Sequence, residues 1–441
     1  MITDQDVPAE FHAAVGSFVQ AAVARRTAAA AAAAATAAND ATPAPAPERV
    51  ALFPDLTPEE EQAELAAARA WRQERFDAGF GWLSGPVEYG GAGLSAAHER
   101  AYLALEREVG GAHAFPPQRI YDIGLGMVAP TILAFGTEAA KQRYLRAMHR
   151  GDLVGCQLFS EPGAGSDLAA IATRADRDDR AGDGGDWLVN GQKVWSSGAH
   201  LSDVGLLVCR TGEPEARHRN LTAFALPMHS PGVTVRPIRQ MTGGASFNEV
   251  FFDDVRIPDE LRLGEVNKGW DVVVATLMNE RAAVGAPAAG GSGILSTERI
   301  AGLLRRFGRL DDAAVRDELM QLHCSLVVSR LTRMRADARR RAGQRPGPEM
   351  SMGKIALTNN LAALCHLVSV ALGPRLIADT GEAGTYLWAE FILGQPGLRL
   401  GGGTDEIQKN IVAERVLGLP RDRATAPATA AATAARQRPN K

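Results

Sequence analysis

The stretch Ser160-Glu161-Pro162-Gly163-Ala164-Gly165-Ser166-Asp167 follows a short apolar run, Leu153 to Phe159, that reads as a strand. It stands where the chain changes character, helical in pattern before it and strand-like after it. Pro162 fixes one φ angle, while Gly163 and Gly165 permit positive φ and let backbone come close to a ligand. Ser160, Ser166 and the loop N–H groups can supply hydrogen bonds. By composition alone the stretch is a polar turn after a strand. Its surroundings decide what else it is.

Upstream, Thr57-Pro58-Glu59-Glu60 is a helix start: a Thr cap, Pro in the first turn, then acids. Gly79-Phe80-Gly81-Trp82 breaks that helix, and Tyr89-Gly90-Gly91-Ala92-Gly93 is a glycine-rich loop before the cap Ser95. Ile120 to Phe135 and Thr137 to His149 read as further helices. Downstream the pattern turns to period two, with strands predicted over Leu153–Phe159, Ile171–Ala175, Trp187–Lys193, Val204–Cys209, Leu221–Leu226, Val233–Ile238 and Glu249–Val255. Short strands at regular spacing suggest an antiparallel barrel or sandwich. From Gly269 helices return over Trp270–Val284, Ser296–Arg306, Asp312–Arg341, Met350–Leu372 and Thr404–Leu417. The expected organisation is α+β. Residues 1–48 form a low-complexity Ala/Pro-rich segment with a short helix over Phe11–Arg26; residues 49–152 form a helical domain. Residues 153–266 are the β-domain, 267–420 a helical bundle, and 421–441 a disordered tail.

The 441 residues suffice for about three domains of roughly 150. With 46% hydrophobic and 22% charged residues the chain reads as soluble and globular. A net charge of −3 gives no electrostatic case for nucleic acid or an anionic membrane. Cys156, Cys209, Cys324 and Cys365 lack metal-ligand spacing and read as core thiols, so no metal is expected. There is no basic, Leu-rich leader, and the runs Ala28–Ala35 and Leu361–Leu372 are too short to span a bilayer. A cytoplasmic location is the expectation.

Three more motifs accompany the opening loop, here extended to Phe159. They are Tyr89-Gly90-Gly91-Ala92-Gly93, Asn190-Gly191-Gln192-Lys193-Val194-Trp195-Ser196-Ser197, and Gly402-Gly403-Thr404-Asp405-Glu406-Ile407-Gln408 with Ala413-Glu414-Arg415. In this order and spacing, over roughly residues 50–420, the chain resembles the acyl-CoA dehydrogenase family. The resemblance implies a C-terminal four-helix bundle and FAD held between the β-domain and the C-terminal helices. It implies that Phe159 and Ser160 line the isoalloxazine, with Gly165 in the same loop. Trp195 would flank the ring, and Ser197 would hydrogen-bond near N5. Ser166 would lie beside the cofactor and the substrate's pantetheine. Thr404 and Glu406 would contact the adenosine part. By residue type Trp195 reads equally as a core aromatic, Ser197 as a turn residue, and Glu406 as a first-turn acid serving the helix dipole.

The implied reaction is α,β-dehydrogenation of an acyl-CoA, in which a carboxylate takes the α proton and hydride leaves the β carbon for flavin N5. One family position for the base is the residue before Gly-Thr in the last motif; here it is Gly402, which keeps only its backbone N–H to polarise the thioester carbonyl. A second lies before an arginine on the first helix after the β-domain, here Glu280-Arg281. Glu280 sits in an apolar helix, a setting that raises a carboxylate's proton affinity, although a salt bridge to a neighbouring helix suits it too. Arg281 is a substrate-side or site-organising residue. Gly373-Pro374 replaces a family segment that touches the FAD of a neighbouring subunit, and the basic run Arg333 to Arg345 reads as a solvated helix face or a CoA-phosphate or partner surface. The implied partners are an acyl-CoA, an electron-transfer flavoprotein, and further subunits in a homodimer, homotetramer or heteromer. Alternatives are a half-site subunit of a heteromer, or an oxidase or monooxygenase chemistry on the same fold.

Overall fold

A computed structural model describes residues 7–37, 56–111, 114–178, 185–284, 295–341, 347–348, 350–379 and 385–420. The Thr-Pro-rich stretch after Ala38 and the tail from 421 lie outside the described residues. The first helix, α1 (Ala9–Ala37), is longer than Phe11–Arg26. The alanine tract expected as linker continues it, since Ala is the strongest helix former. Its Val15 and Val19 are buried with Leu83 and Tyr102, and Phe18 stacks on Trp71, so this segment is part of the helical layer.

α2 (Pro58–Asp77) starts with a complete capping box. Glu60 N–H donates to Thr57 Oγ1 (3.2 Å), and Thr57 N–H to Glu60 Oε2 (2.9 Å). α3 (Ala96–Gly110), α4 (Ala129–Phe135) and α5 (Glu138–Arg150) complete the layer. The single helix expected over Ile120 to Phe135 is broken into a 3-10 turn at Arg119–Tyr121, a π-turn at Gly124–Val128, and α4. The cause is a backbone contact: a Cβ on Gly124 would lie 3.0 Å from Gly155 N. Two glycines let the π-turn lie directly on the first strand.

The β-domain holds β1 (Gly155–Leu158), β2 (Arg174–Arg177), β3 (Trp187–Ser197), β4 (Val204–Arg210), β5 (Leu221–Pro227), β6 (Val233–Ile238), β7 (Phe247–Ile257) and β8 (Arg262–Leu263). They form one sheet in the order β6-β7-β3-β2-β4-β5-β8, with β1 beside β4. The pairing is antiparallel apart from β1–β4 and the single β2–β4 bridge, which are parallel. β2 starts three residues later than expected, because Leu168–Ala170 forms a 3-10 turn first. Val204, Leu206, Val208, Phe224 and Leu226 are fully buried, each worth roughly 1.5–3 kcal/mol for the larger apolar side chains.

The C-terminal layer comprises α6 (Gly269–Val284), α7 (Thr297–Arg306), α8 (Ala313–Arg341), α9 (Met350–Leu372), α10 (Leu387–Leu400) and α11 (Asp405–Arg415). Leu361, Leu364, Leu367, Val368 and Leu372 bury one face of α9 against α7, α8 and α10. This helix, running on to Leu376, is long and apolar enough to cross a membrane by length and composition. It exceeds the run Leu361–Leu372 read from sequence because it begins at Met350. Here it is the bundle's central helix. Cys156 and Cys209 are buried thiols as expected, whereas Cys324 is exposed on α8.

Candidate active site

The opening loop is built on a buried ion pair. Lys193, fully buried on β3, donates from Nζ to Glu161 Oε1 (2.8 Å) and to Phe159 O (3.0 Å). Glu161 also accepts from Ala172 N–H (2.6 Å) and Thr173 N–H (3.0 Å). Burial pushes the Glu161 carboxyl up, but the Lys193 ammonium and these N–H donors outweigh it and leave it below the usual range. Glu161 and Ala164 exchange two backbone hydrogen bonds of 3.0 Å, and Val194 N–H donates to Ser160 O (2.9 Å). Phe159, Ser160 and β3 are thereby fixed to one another.

Gly163 and Gly165 permit positive φ but do not adopt it. A Cβ at either would meet nothing within 4 Å. Open space in front of this backbone, not left-handed geometry, is what the glycines preserve. Ser166 is exposed and Ser160 half-buried.

Trp195 is 59% exposed, which removes the core-aromatic reading. It sits at φ 62° inside a β-bulge where the β3–β7 register shifts between Lys193 and Ser196. Its ring meets Phe247 edge-on at 6.1 Å. Ser197 pairs with Phe247 at the strand end. Asn248 secures the bulge from below: Nδ2 donates to Ser196 O (3.0 Å) and lies 3.1 Å from His200 Nδ1, whose Nε2 reaches Glu61 on α2 (3.0 Å). A fixed backbone with open space before it, beside a projecting indole, suits a flat aromatic ligand.

The second cluster lies in the helical layer. Glu280 is 9% exposed near the end of α6. The turn Gly401-Gly402-Gly403 joins α10 to α11, with Gly402 at φ 71° and Gly403 at φ 83°. A Cβ on Gly402 would lie 3.3 Å from Glu280 Oε1. The two base positions distinguished in the sequence therefore meet at one point, and the carboxylate there comes from α6. Both residues line a cavity of about 710 Å³ together with Lys354, Asn360 and Gln408. The exposed Arg330, Arg333, Arg335 and Arg339 border it too, so the arginine run is both solvated and cavity-facing. None of Phe159, Ser160, Ser166, Trp195, Ser197, Thr404 or Glu406 lines this cavity.

Thr404 is the N-cap of α11, its Oγ1 accepting from Ile407 N–H (3.2 Å), and Glu406 is an exposed first-turn acid. Thr404→Ala is expected to cost about 1 kcal/mol in urea unfolding of the cofactor-free protein, the usual worth of such a cap. The Arg281 side chain lies outside the described residues. Sequence reasoning gave no role to Lys354, whose only signal was a lone cation in an apolar helix. Nor did it weigh Asp405, which is 2% exposed and held by Thr358 (2.9 Å) and Arg399 (2.8 Å).

Three family models match the chain in order: the N-terminal domain of acyl-CoA dehydrogenase over residues 52–152, the middle domain over 156–255 and the C-terminal domain over 267–417. Among relatives, the acyl-CoA dehydrogenase IpdE1 of Mycobacterium tuberculosis is 38% identical over 368 residues, 83% of this chain and 91% of that protein. Among solved structures, the Tcur3481–Tcur3483 steroid ACAD superposes with a TM-score of 0.69 at 26% identity, covering 83% of this chain and 94% of that one. The ChsE4–ChsE5 complex from Mycobacterium tuberculosis follows with a TM-score of 0.65 at 29% identity, again covering 83% and 94%. The fold is that of a three-domain flavoenzyme. The chain belongs to the acyl-CoA dehydrogenase family, whose members are flavoprotein oxidoreductases of lipid metabolism.

Proposed function

We propose that this chain binds FAD and removes the elements of hydrogen from the α and β carbons of an acyl-CoA, with Glu280 as the base. The observation that carries the reading is the 3.3 Å approach of Glu280 Oε1 to the Cβ position of Gly402. One oxygen of a buried carboxylate faces the turn whose glycine lacks a side chain. FAD, when bound, supplies the hydride acceptor. Phe159 and Ser160 would meet its ring from the fixed loop, Trp195 would cover one face, and Ser197 would hydrogen-bond at the ring edge. Gly165 and Ser166 leave room for cofactor and pantetheine. Thr404 and Glu406 would approach the adenosine part through the start of α11.

Glu280 takes the α proton onto a carboxylate oxygen. A general base contributes roughly 10²–10⁴ in rate when it is within hydrogen-bond reach of the proton. The Gly402 N–H donates to no backbone carbonyl among the described residues. It would polarise the thioester carbonyl, which makes the α proton more acidic. Apolar side chains that line the cavity with Glu280, among them Leu326 and Leu357, would limit the water competing for that proton.

The test is anaerobic bleaching of the bound flavin by a panel of straight-chain, branched and ring-bearing acyl-CoA thioesters. Reoxidation by an electron-transfer flavoprotein, and slow reoxidation by oxygen, would mark a dehydrogenase rather than an oxidase. Bleaching by no thioester in a protein carrying about one FAD per chain would refute the reading. Gly165→Ala provides a separate check on the loop. Its Cβ meets no protein atom within 4 Å, so stability of the cofactor-free protein should change by less than about 0.5 kcal/mol while FAD affinity falls.

A paired assembly is the second reading, in which this chain works beside a related subunit. Val328, Leu331 and Met334 form an exposed apolar strip on α8, and one similar structure is the ChsE4–ChsE5 complex. Full FAD occupancy and bleaching by the isolated chain would argue against a required partner.

A further inference from the structure

The Gly401–Gly403 turn is held from two sides. Gln408 Nε2 donates to Gly402 O at 2.9 Å, and Lys354 Nζ donates to Gly403 O at 3.3 Å. Lys354 comes from α9, one turn before Thr358, whose hydroxyl donates to Asp405 Oδ1. The Cβ position of Gly402 lies 3.9 Å from Lys354 Cε as well as 3.3 Å from Glu280 Oε1. One ammonium and one carboxylate, from different helices, thus flank the same glycine.

The π-turn Gly124–Val128, α4 and β5, which pack on α6, carry no titratable side chain. His218 packs edge-on against Trp270 at the opposite end of α6. Asp405 on α11 is engaged by Arg399 and Thr358. The arginines of α8, with His323 and with Glu298 of α7, border the cavity. Lys354 is a cation that bonds directly to the turn. Burial pulls its ammonium below the usual range, against the raising pull of Asp405 and Glu280.

We infer that Lys354 is a positioning residue for proton abstraction: it fixes the turn that presents the Gly402 N–H and keeps Glu280 ionised before substrate arrives. An opposite charge within several ångströms favours the charged form of a carboxylate. Without it, the buried Glu280 would hold its proton to higher pH and be spent as a base. The inference rests on Glu280 being the base, and the experiment separates the two.

The flavin-bleaching rate of the holoenzyme is measured against pH, with the thioester that reacts fastest in the panel above. In Lys354→Met the acid-side pKa of the rate should rise by about one unit, the scale of one ion pair at an effective dielectric near 20. Below that pKa the rate should fall about tenfold, with KM changed less than about twofold. Lys354→Arg, which keeps the charge, should retain the wild-type pH profile. Should Lys354→Met not fold, Lys354→Gln serves, since it removes the charge and keeps a polar N–H group on the side facing the turn. An unmoved acid-side pKa in the neutral variants overturns the inference. Wild-type bleaching by Glu280→Gln would instead overturn the base assignment on which it rests.

Discussion

Glu280→Gln is expected to retain FAD and to lose reductive bleaching by acyl-CoA by at least about a hundredfold. The substitution is nearly isosteric and keeps a polar group at a site only 9% exposed, so the cavity wall should survive. What disappears is the lone pair basic enough to take the α proton. Gly402 offers no replacement, and its Cβ position already lies against the Glu280 carboxylate. Another buried carboxylate of the C-terminal layer, Asp405, is bound to Thr358 and Arg399 and held below the usual carboxylate range, burial's upward push being exceeded by those partners. Stopped-flow bleaching with an unchanged flavin spectrum is the measurement. A rate within a few-fold of wild type would sink the assignment.

Lys193→Met is expected to be the costliest single substitution for stability, about 3–5 kcal/mol, because it leaves Glu161 buried without its counter-charge. It also strips Phe159 O of a donor. Urea unfolding at neutral pH gives the magnitude, and a loss under about 1 kcal/mol would show that the pair does not hold the loop. The pH dependence has a defined sign. The folded-state proton affinity of Glu161 is depressed, so its contribution is complete above the ordinary glutamate range, near pH 4.3, and lost as pH falls through the lower folded value. In the variant burial acts on the Glu161 carboxyl without the Lys193 ammonium to oppose it and raises its proton affinity, so the gap between wild type and variant should narrow as pH falls, starting above the ordinary glutamate range.

The alternation of helix, strand and helix was plain in the sequence because hydrophobic periodicity reports burial, and burial defines the layers. Glu280 and Gly402 were legible as alternatives for one role. Their convergence was not, because it depends on how α6 meets the α10–α11 turn across more than a hundred residues. The π-turn at Gly124–Val128 was illegible for a similar reason, being imposed by contact with Gly155 on another element. Of the two properties read at Gly163 and Gly165, the structure uses room for close approach and not left-handed conformation. Lys354 and Lys193 went unread because a lysine in an apolar run shows nothing of which carbonyl or carboxylate awaits it.

The bulge beneath Trp195 inverts the phase of β3. Up to Lys193 the odd-numbered side chains, Trp187, Val189 and Lys193, face the interior; beyond it Ser196 does, and Trp195 faces out. One inserted residue thus makes a single strand anchor the core at one end and offer an indole at the other. Plain alternation through the same residues, with no bulge, would turn Trp195 inward and Ser196 outward. The site's aromatic wall is in this sense encoded by a count of residues as much as by their identity.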